Sequence, residues 1–145
     1  MLFRSYRGIP DLCVTLDVPN LDRMGEGAAV FKRARATVLI DHHTSENDLG
    51  DVRIVDPMTA AVGVMVWDMI DQMGVQRTAE IATCCYTAVV TDTGRFQFQN
   101  TDAACLRVAS AMATAGARPD QICTNIYQRR SLAALKFEAL VIERM

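Results

Sequence analysis

Two short apolar runs, each meeting an aspartate at its end, constrain this chain most. Leu12 to Val18 reads LCVTLDV, and Thr37 to Ile40 reads TVLI and runs straight into Asp41. Runs of this length that stay apolar on consecutive positions fit buried strands of a parallel sheet. Between them, Arg23 to Ala36 is rich in Gly, Ala and basic residues. That stretch predicts a loop with a short helix returning the chain to the same edge of the sheet. The result is one β-α-β unit, and the fold class it implies is α/β, a parallel sheet flanked by helices.

The remainder extends the same pattern. The polar stretch TSENDLGD after His43 predicts a loop, and RIV at 53–55 predicts a brief third strand. From Thr59, the residues Val62, Val66, Met69 and Met73 recur at spacings of three and four. This predicts an amphipathic helix ended by Gly74, with methionine as core filler. A second helix from Thr78 to about Val89 is apolar on nearly every side, so it should be covered on both faces before it delivers the turn Thr91-Asp92-Thr93-Gly94. Phe96 and Phe98 alternate with glutamines and predict a short extended segment. Asn100 or Thr101 is then expected to cap a helix from Asp102 to about Ala115, closed by Gly116. Pro119 sits at a first helical position for the segment to Tyr127, and Ser131 is placed to cap a last helix running to Met145. No repeat or low-complexity linker interrupts the chain, which reads as one domain.

Composition narrows the function classes. Half of the 145 residues are hydrophobic and the net charge is −2, which is a globular chain with a core. The fifteen Lys and Arg are spread from Arg4 to Arg144, which gives no footprint for duplex DNA but leaves room for a small phosphorylated ligand. No stretch approaches the roughly 18 apolar residues of a membrane span. The five cysteines are odd in number and form no C-x-x-C pair. They read as reduced core residues of a cytoplasmic protein.

The chemistry concentrates in Asp41-His42-His43, which holds both histidines of the chain and lies where an apolar strand ends. Open α/β sheets build their sites at such ends, because loops converge there on a rigid frame. Neighbouring side chains point in different directions, so one imidazole could bind a metal while the other faces substrate. Asp17 ends the other strand of the same unit, and Asp92 sits in a glycine-containing turn after a buried helix. Oxygen and nitrogen ligands arriving on separate elements suit a hard or borderline divalent ion such as Mn²⁺, whereas zinc more often recruits thiolates. Arg95, beside that turn, has a guanidinium fork suited to a phosphate, or is a solvated turn residue.

Three segments together resemble a known family. Leu16-Asp17-Val18-Pro19-Asn20-Leu21-Asp22-Arg23-Met24-Gly25, Ile40-Asp41-His42-His43 and Val90-Thr91-Asp92-Thr93-Gly94-Arg95-Phe96 are similar, in order and spacing, to the second, third and fourth motifs of the DHH phosphoesterases. The resemblance runs from about Leu12 to Met145 and is greatest to the branch of nanoRNases, pAp phosphatases and cyclic-di-AMP-related phosphodiesterases. It implies that Asp17 bridges two manganese ions, that His42 and Asp92 ligate one of them, that Asp41 orients an imidazole, and that His43 faces the scissile phosphate. The implied reaction is two-metal activation of water on short oligoribonucleotides, pAp or linear dinucleotides. A related inorganic pyrophosphatase activity fits the segment 91–96 less well.

The chain also departs from the family. The first motif, a His followed by two Asp on the first strand, is missing, since no histidine precedes His42. Nothing corresponds to the family's second, glycine-rich domain. Residues 1–128 are therefore expected to form a partial DHH domain, with 129–145 starting the inter-domain helix of a longer protein. Weak activity of the isolated chain, or a non-catalytic remnant serving ligand binding or oligomerisation, is the corresponding expectation. An uncovered part of the parallel sheet should favour a homodimer. Val62 stands where relatives commonly place a helical Glu after a Ser/Thr-rich turn, so that contact is expected to be altered.

Overall fold

The structure is a computed structural model that describes residues 6–44 and 48–145. Arg4 and the part of the expected loop at 45–47 lie outside the described residues. Three parallel strands, β1 (Cys13–Leu16), β2 (Thr37–Asp41) and β3 (Val52–Val55), form one sheet in the order β1-β2-β3. The class expected from the two apolar runs is the class found. Between β1 and β2 the chain makes two short helices, α1 (Leu21–Met24) and α2 (Gly27–Phe31), rather than a loop with one. Asn20 caps α1 by accepting the Arg23 N–H at 3.1 Å, and Gly25 ends it with φ 53°, a left-handed turn that glycine adopts without strain.

The sheet register separates its two faces. Val14, Val38 and Val52 lie side by side on one face, followed by Leu16, Ile40 and Ile54. The alternate residues Thr15, Leu39 and Asp41 belong to the other face and are buried, Leu39 completely. On the first face only Ile40 is fully buried, while Val14, Leu16, Val52 and Ile54 are 40–53% exposed. The expectation of strands buried on both sides therefore holds only for one face of β1 and β2; Arg53 of β3, beside Leu39 on that face, is exposed, and the other face is open.

Beyond β3 the chain is helical. α3 (Val62–Gln72), α4 (Ala79–Asp92), α5 (Ala103–Thr114) and α6 (Pro119–Cys123) build a second core around Trp67, Cys85, Tyr86, Val89, Cys105 and Met112. α4 packs against both α3 and α5, as its apolar circumference predicts. The α3–α4 approach is close at Gly63, where a Cβ would lie 2.7 Å from the Cys85 carbonyl oxygen. Glycine is required there by contact, not by backbone angle. Arg77 closes the end of α3, donating to the Trp67 carbonyl at 2.9 Å with its guanidinium 4.3 Å from that ring's centroid.

Several local expectations are corrected. α3 begins at Val62 rather than Thr59, because residues 57–60 are used in a turn closed by Asp56. Met73, expected in the core, is 70% exposed. The α5 cap is Asp102, whose carboxylate accepts the Cys105 N–H at 2.7 Å, and not Asn100 or Thr101. Phe96 and Phe98 do not extend. Gly94, Arg95 and Phe96 all have positive φ (55°, 64° and 62°), which winds the segment into a compact left-handed turn. That turn lays Phe96 edge-on against Tyr86, with ring centroids 5.9 Å apart. Cys84 is exposed, so the reading of all five cysteines as core residues holds fully only for Cys85 and Cys105.

After α6 the chain forms a π-helix (Thr124–Gln128), followed by α7 (Leu132–Ile142), which Ser131 caps by accepting the Ala134 N–H at 3.1 Å. α7 buries none of its residues, and Leu132, Phe137 and Ile142 are each about two-thirds exposed (67%, 68% and 70%). Among the described residues, no helix is long and apolar enough to cross a membrane.

Candidate metal centre

The site assembles where β1 and β2 end. Asp17 follows β1 directly with φ 60°, and its N–H donates to the Ile40 carbonyl at 3.0 Å. Aspartate tolerates this left-handed geometry better than most residues. The ladder bond holds its carboxylate beside the end of β2. Asp41, the last residue of β2, is 1% exposed. Its Oδ1 accepts the His42 N–H at 2.7 Å, the His43 N–H at 3.0 Å and the His43 ring Nδ1 at 2.7 Å. Burial pushes the Asp41 carboxyl up, but the hydrogen bonds from His43 and His42 outweigh it and hold it below its usual range. A carboxylate inside the turn thus fixes both histidines, as a second carboxylate often does for a metal-binding imidazole.

The two imidazoles then diverge. The Nδ1 of His42 is 3.1 Å from the Thr59 carbonyl oxygen. A carbonyl only accepts, so this nitrogen carries a proton and Nε2 is the ring nitrogen left to meet a ligand. Nε2 lies 3.4 Å from Asp17 Oδ1 and 3.7 Å from Asp92 Oδ2. His43 instead gives Nδ1 to Asp41, with Asp17 Oδ1 3.5 Å away, and is more exposed than His42. One ligand atom from each of Asp17, His42 and His43 can be chosen so that all lie within 4.8 Å of one another.

Asp92 is the last residue of α4 rather than part of the turn after it. The helix C-terminus is an electrostatically poor place for a carboxylate. Its pKa is raised, first by burial and then by the charge of Asp17, against the smaller opposing influence of His42 and His43. Two carboxylates that repel each other form a pocket of negative potential that a cation would relieve. The donors are oxygen and nitrogen only, and they fit a divalent ion such as Mn²⁺.

Arg95 follows Asp92 by three residues, and its guanidinium lies over Tyr127 of the π-helix, 4.9 Å from the ring centroid. The Val90 carbonyl accepts both the Arg95 N–H at 2.8 Å and the Tyr127 hydroxyl at 3.4 Å. The structure thus brings Asp17, Asp41, His42, His43 and Asp92 together and places Arg95 at the edge of the turn beyond them.

Sequence reasoning missed three supporting residues. The Asp56 N–H donates to the Asp41 carbonyl at 3.1 Å, and the Asp56 carboxylate accepts from the Met58 N–H at 3.0 Å and the Thr59 hydroxyl at 2.6 Å. These bonds aim the Thr59 carbonyl at His42. Asn100 donates from Nδ2 to the Ala60 carbonyl at 3.0 Å and the Asp92 carbonyl at 3.2 Å. The Asp56-Pro57 turn was a visible signal for the first two, but nothing in the sequence pairs Asn100 with either partner.

No family model matches the chain. It is 47% identical over 90 residues to the bifunctional oligoribonuclease and PAP phosphatase NrnA of Thermus thermophilus, a match that covers 62% of this chain and 28% of that protein. It is 25% identical to the protein of the same name from Bacillus subtilis, over 97% of this chain and 44% of the relative. The crystal structure of an exopolyphosphatase-related protein from Bacteroides fragilis superposes with a TM-score of 0.81 at 26% identity, over 92% of this chain and 40% of that one. The chain thus spans less than half the length of these relatives. Its motifs, its fold and these likenesses agree: the chain is similar to proteins named bifunctional oligoribonuclease and PAP phosphatase, in line with its resemblance to the DHH phosphoesterases.

Proposed function

We propose that this chain carries part of the metal centre of a phosphoesterase that hydrolyses short oligoribonucleotides, pAp or linear dinucleotides in the cytoplasm, with weak or no activity of its own. The observation that carries the reading is the orientation of His42: with Nδ1 committed to Thr59, Nε2 faces Asp17 and Asp92. In this reading Asp17, His42 and Asp92 would hold the ion, Asp17 and Asp92 through their carboxylates and His42 through Nε2. A divalent ion such as Mn²⁺ held there would supply an acidified water and offset charge on phosphoryl oxygens. The protein's part is positional. Asp41 fixes the His43 imidazole and the His42 backbone while the Thr59 carbonyl orients the His42 ring; the half-buried ring of His43 turns toward the scissile phosphate, and the guanidinium of Arg95 contacts a substrate phosphate.

Calorimetric titration with Mn²⁺ tests the assignment. One ion should bind to this chain, and His42→Ala should abolish binding; equal affinity of the two proteins would remove the site as drawn. Turnover is a separate measurement. A second reading, that the fold binds ligand or self-associates without hydrolysis, is favoured by the open sheet face at Val14, Leu16, Val52 and Ile54. Self-association of the chain with no Mn²⁺ binding would select it.

A further inference from the structure

We propose that Asn100 is a positioning residue of the metal centre, a clamp that sets the distance between His42 and Asp92. The inference rests on the reading of these two residues as ligands and extends it to a side chain outside every motif quoted above. Asn100 lies in the segment between the left-handed turn and α5, where the sequence pattern expects a helix cap. The cap is Asp102, and Asn100 is left for another task.

That task is visible in its partners. Both acceptors of the Asn100 amide are backbone carbonyls, Ala60 at 3.0 Å and Asp92 at 3.2 Å. Carbonyls cannot donate, so the assignment of Nδ2 is fixed by chemistry, and both of its protons are used. Each acceptor belongs to a backbone that holds a proposed ligand. Ala60 is the residue after Thr59, whose carbonyl orients the His42 ring. Asp92 is itself a proposed ligand at the last, otherwise frayed position of α4, where carbonyls lack helical partners.

One amide therefore ties the support of one ligand to the backbone of the other, across 40 residues of sequence on one side and 8 on the other. Without it, two carbonyls lose a donor. The Thr59–Ala60 turn and the end of α4 are then free to shift apart, carrying His42 Nε2 away from Asp92 Oδ2. Residues that orient metal ligands in this way typically govern affinity by about 10–100-fold.

The test is Mn²⁺ titration of Asn100→Asp, which keeps the shape and replaces both donors with acceptors, beside wild type and Met112→Ala. Met112 is fully buried in the helical core and has no part in the site, so Met112→Ala reports what general destabilisation does. Thermal unfolding of the metal-free proteins is measured on the same samples. Asn100→Asp should lose at least about tenfold in Mn²⁺ affinity, while Met112→Ala loses thermal stability with its affinity unchanged. If Asn100→Asp does not fold, Asn100→Ser, which keeps one donor, carries the test and should fall between wild type and complete loss. Wild-type affinity in either Asn100 variant overturns the clamp and leaves the metal site standing. So does an equal loss in Met112→Ala. Failure of wild type to bind Mn²⁺ overturns the site and the clamp together.

Discussion

The two faces of the sheet differ in what they are held against. On one, Thr15, Leu39 and Asp41 are sealed, and the face ends in the carboxylate that organises both histidines. On the other, Val14, Leu16, Val52 and Ile54 stand 40–53% exposed with only Ile40 fully covered. Similar apolar residues line both. The closed face carries the positional precision that a metal centre needs, because close packing transmits any displacement of Leu39 to the residue two positions on. The open face carries none of the site. It resembles the exposed apolar surface of α7, which also buries no residue.

The contrast can be broken in several ways. The largest effect is expected at the closed end, where His42→Ala removes the nitrogen that Asp17 and Asp92 face and should reduce Mn²⁺ affinity beyond the roughly 100-fold limit of outer residues. Isothermal calorimetry measures it. One layer in, Leu39→Ala should cost about 2–5 kcal/mol in a chemical denaturation curve, since Leu39 is completely buried. Leu16→Ala on the open face should cost less than about 1 kcal/mol. Equal losses would mean that the open face is covered in solution. Sedimentation tests that directly: the wild-type chain should self-associate as concentration rises, and the pair Leu16→Ser with Val52→Ser should remain monomeric with Mn²⁺ affinity unchanged.

The smallest effect concerns the entry to β3. The Asp51 carboxylate accepts the Thr37 N–H and the Thr37 hydroxyl, both at 2.8 Å, and these bonds hold its pKa below the usual range. The unfolded chain therefore takes up this proton first as pH falls. The stabilisation is complete above the ordinary aspartate value, near about 3.9, and is lost as pH drops through the lower folded value. Asp51→Asn should flatten the acid limb of a stability-against-pH profile without changing stability differences between pH 6 and 8.

Much of this was readable in advance where the code is local. LCVTLDV and TVLID announce strands because consecutive apolar residues satisfy a sheet, and Ser131 caps its helix through a bond only three residues long. The convergence of Asp17, Asp41 and the histidines was also legible, since parallel strands place their ends together. Phe96 and Phe98 misled because alternation is ambiguous over four residues, and three consecutive left-handed residues leave no mark in hydrophobicity. Asn100 was misassigned because a cap and a long-range clamp call for the same side chain.

By itself, then, the sequence determined the strands, the Ser131 cap, the donor types and the order of the motifs, all set by contacts within a few residues. Only the tertiary structure decided which nitrogen of His42 faces the carboxylates, that Asp92 belongs to α4, that Asn100 joins the two, and which sheet face is closed. Each of those depends on a partner distant in sequence. A hydrogen bond to Thr59 or Ala60 forms only after the chain has packed around it.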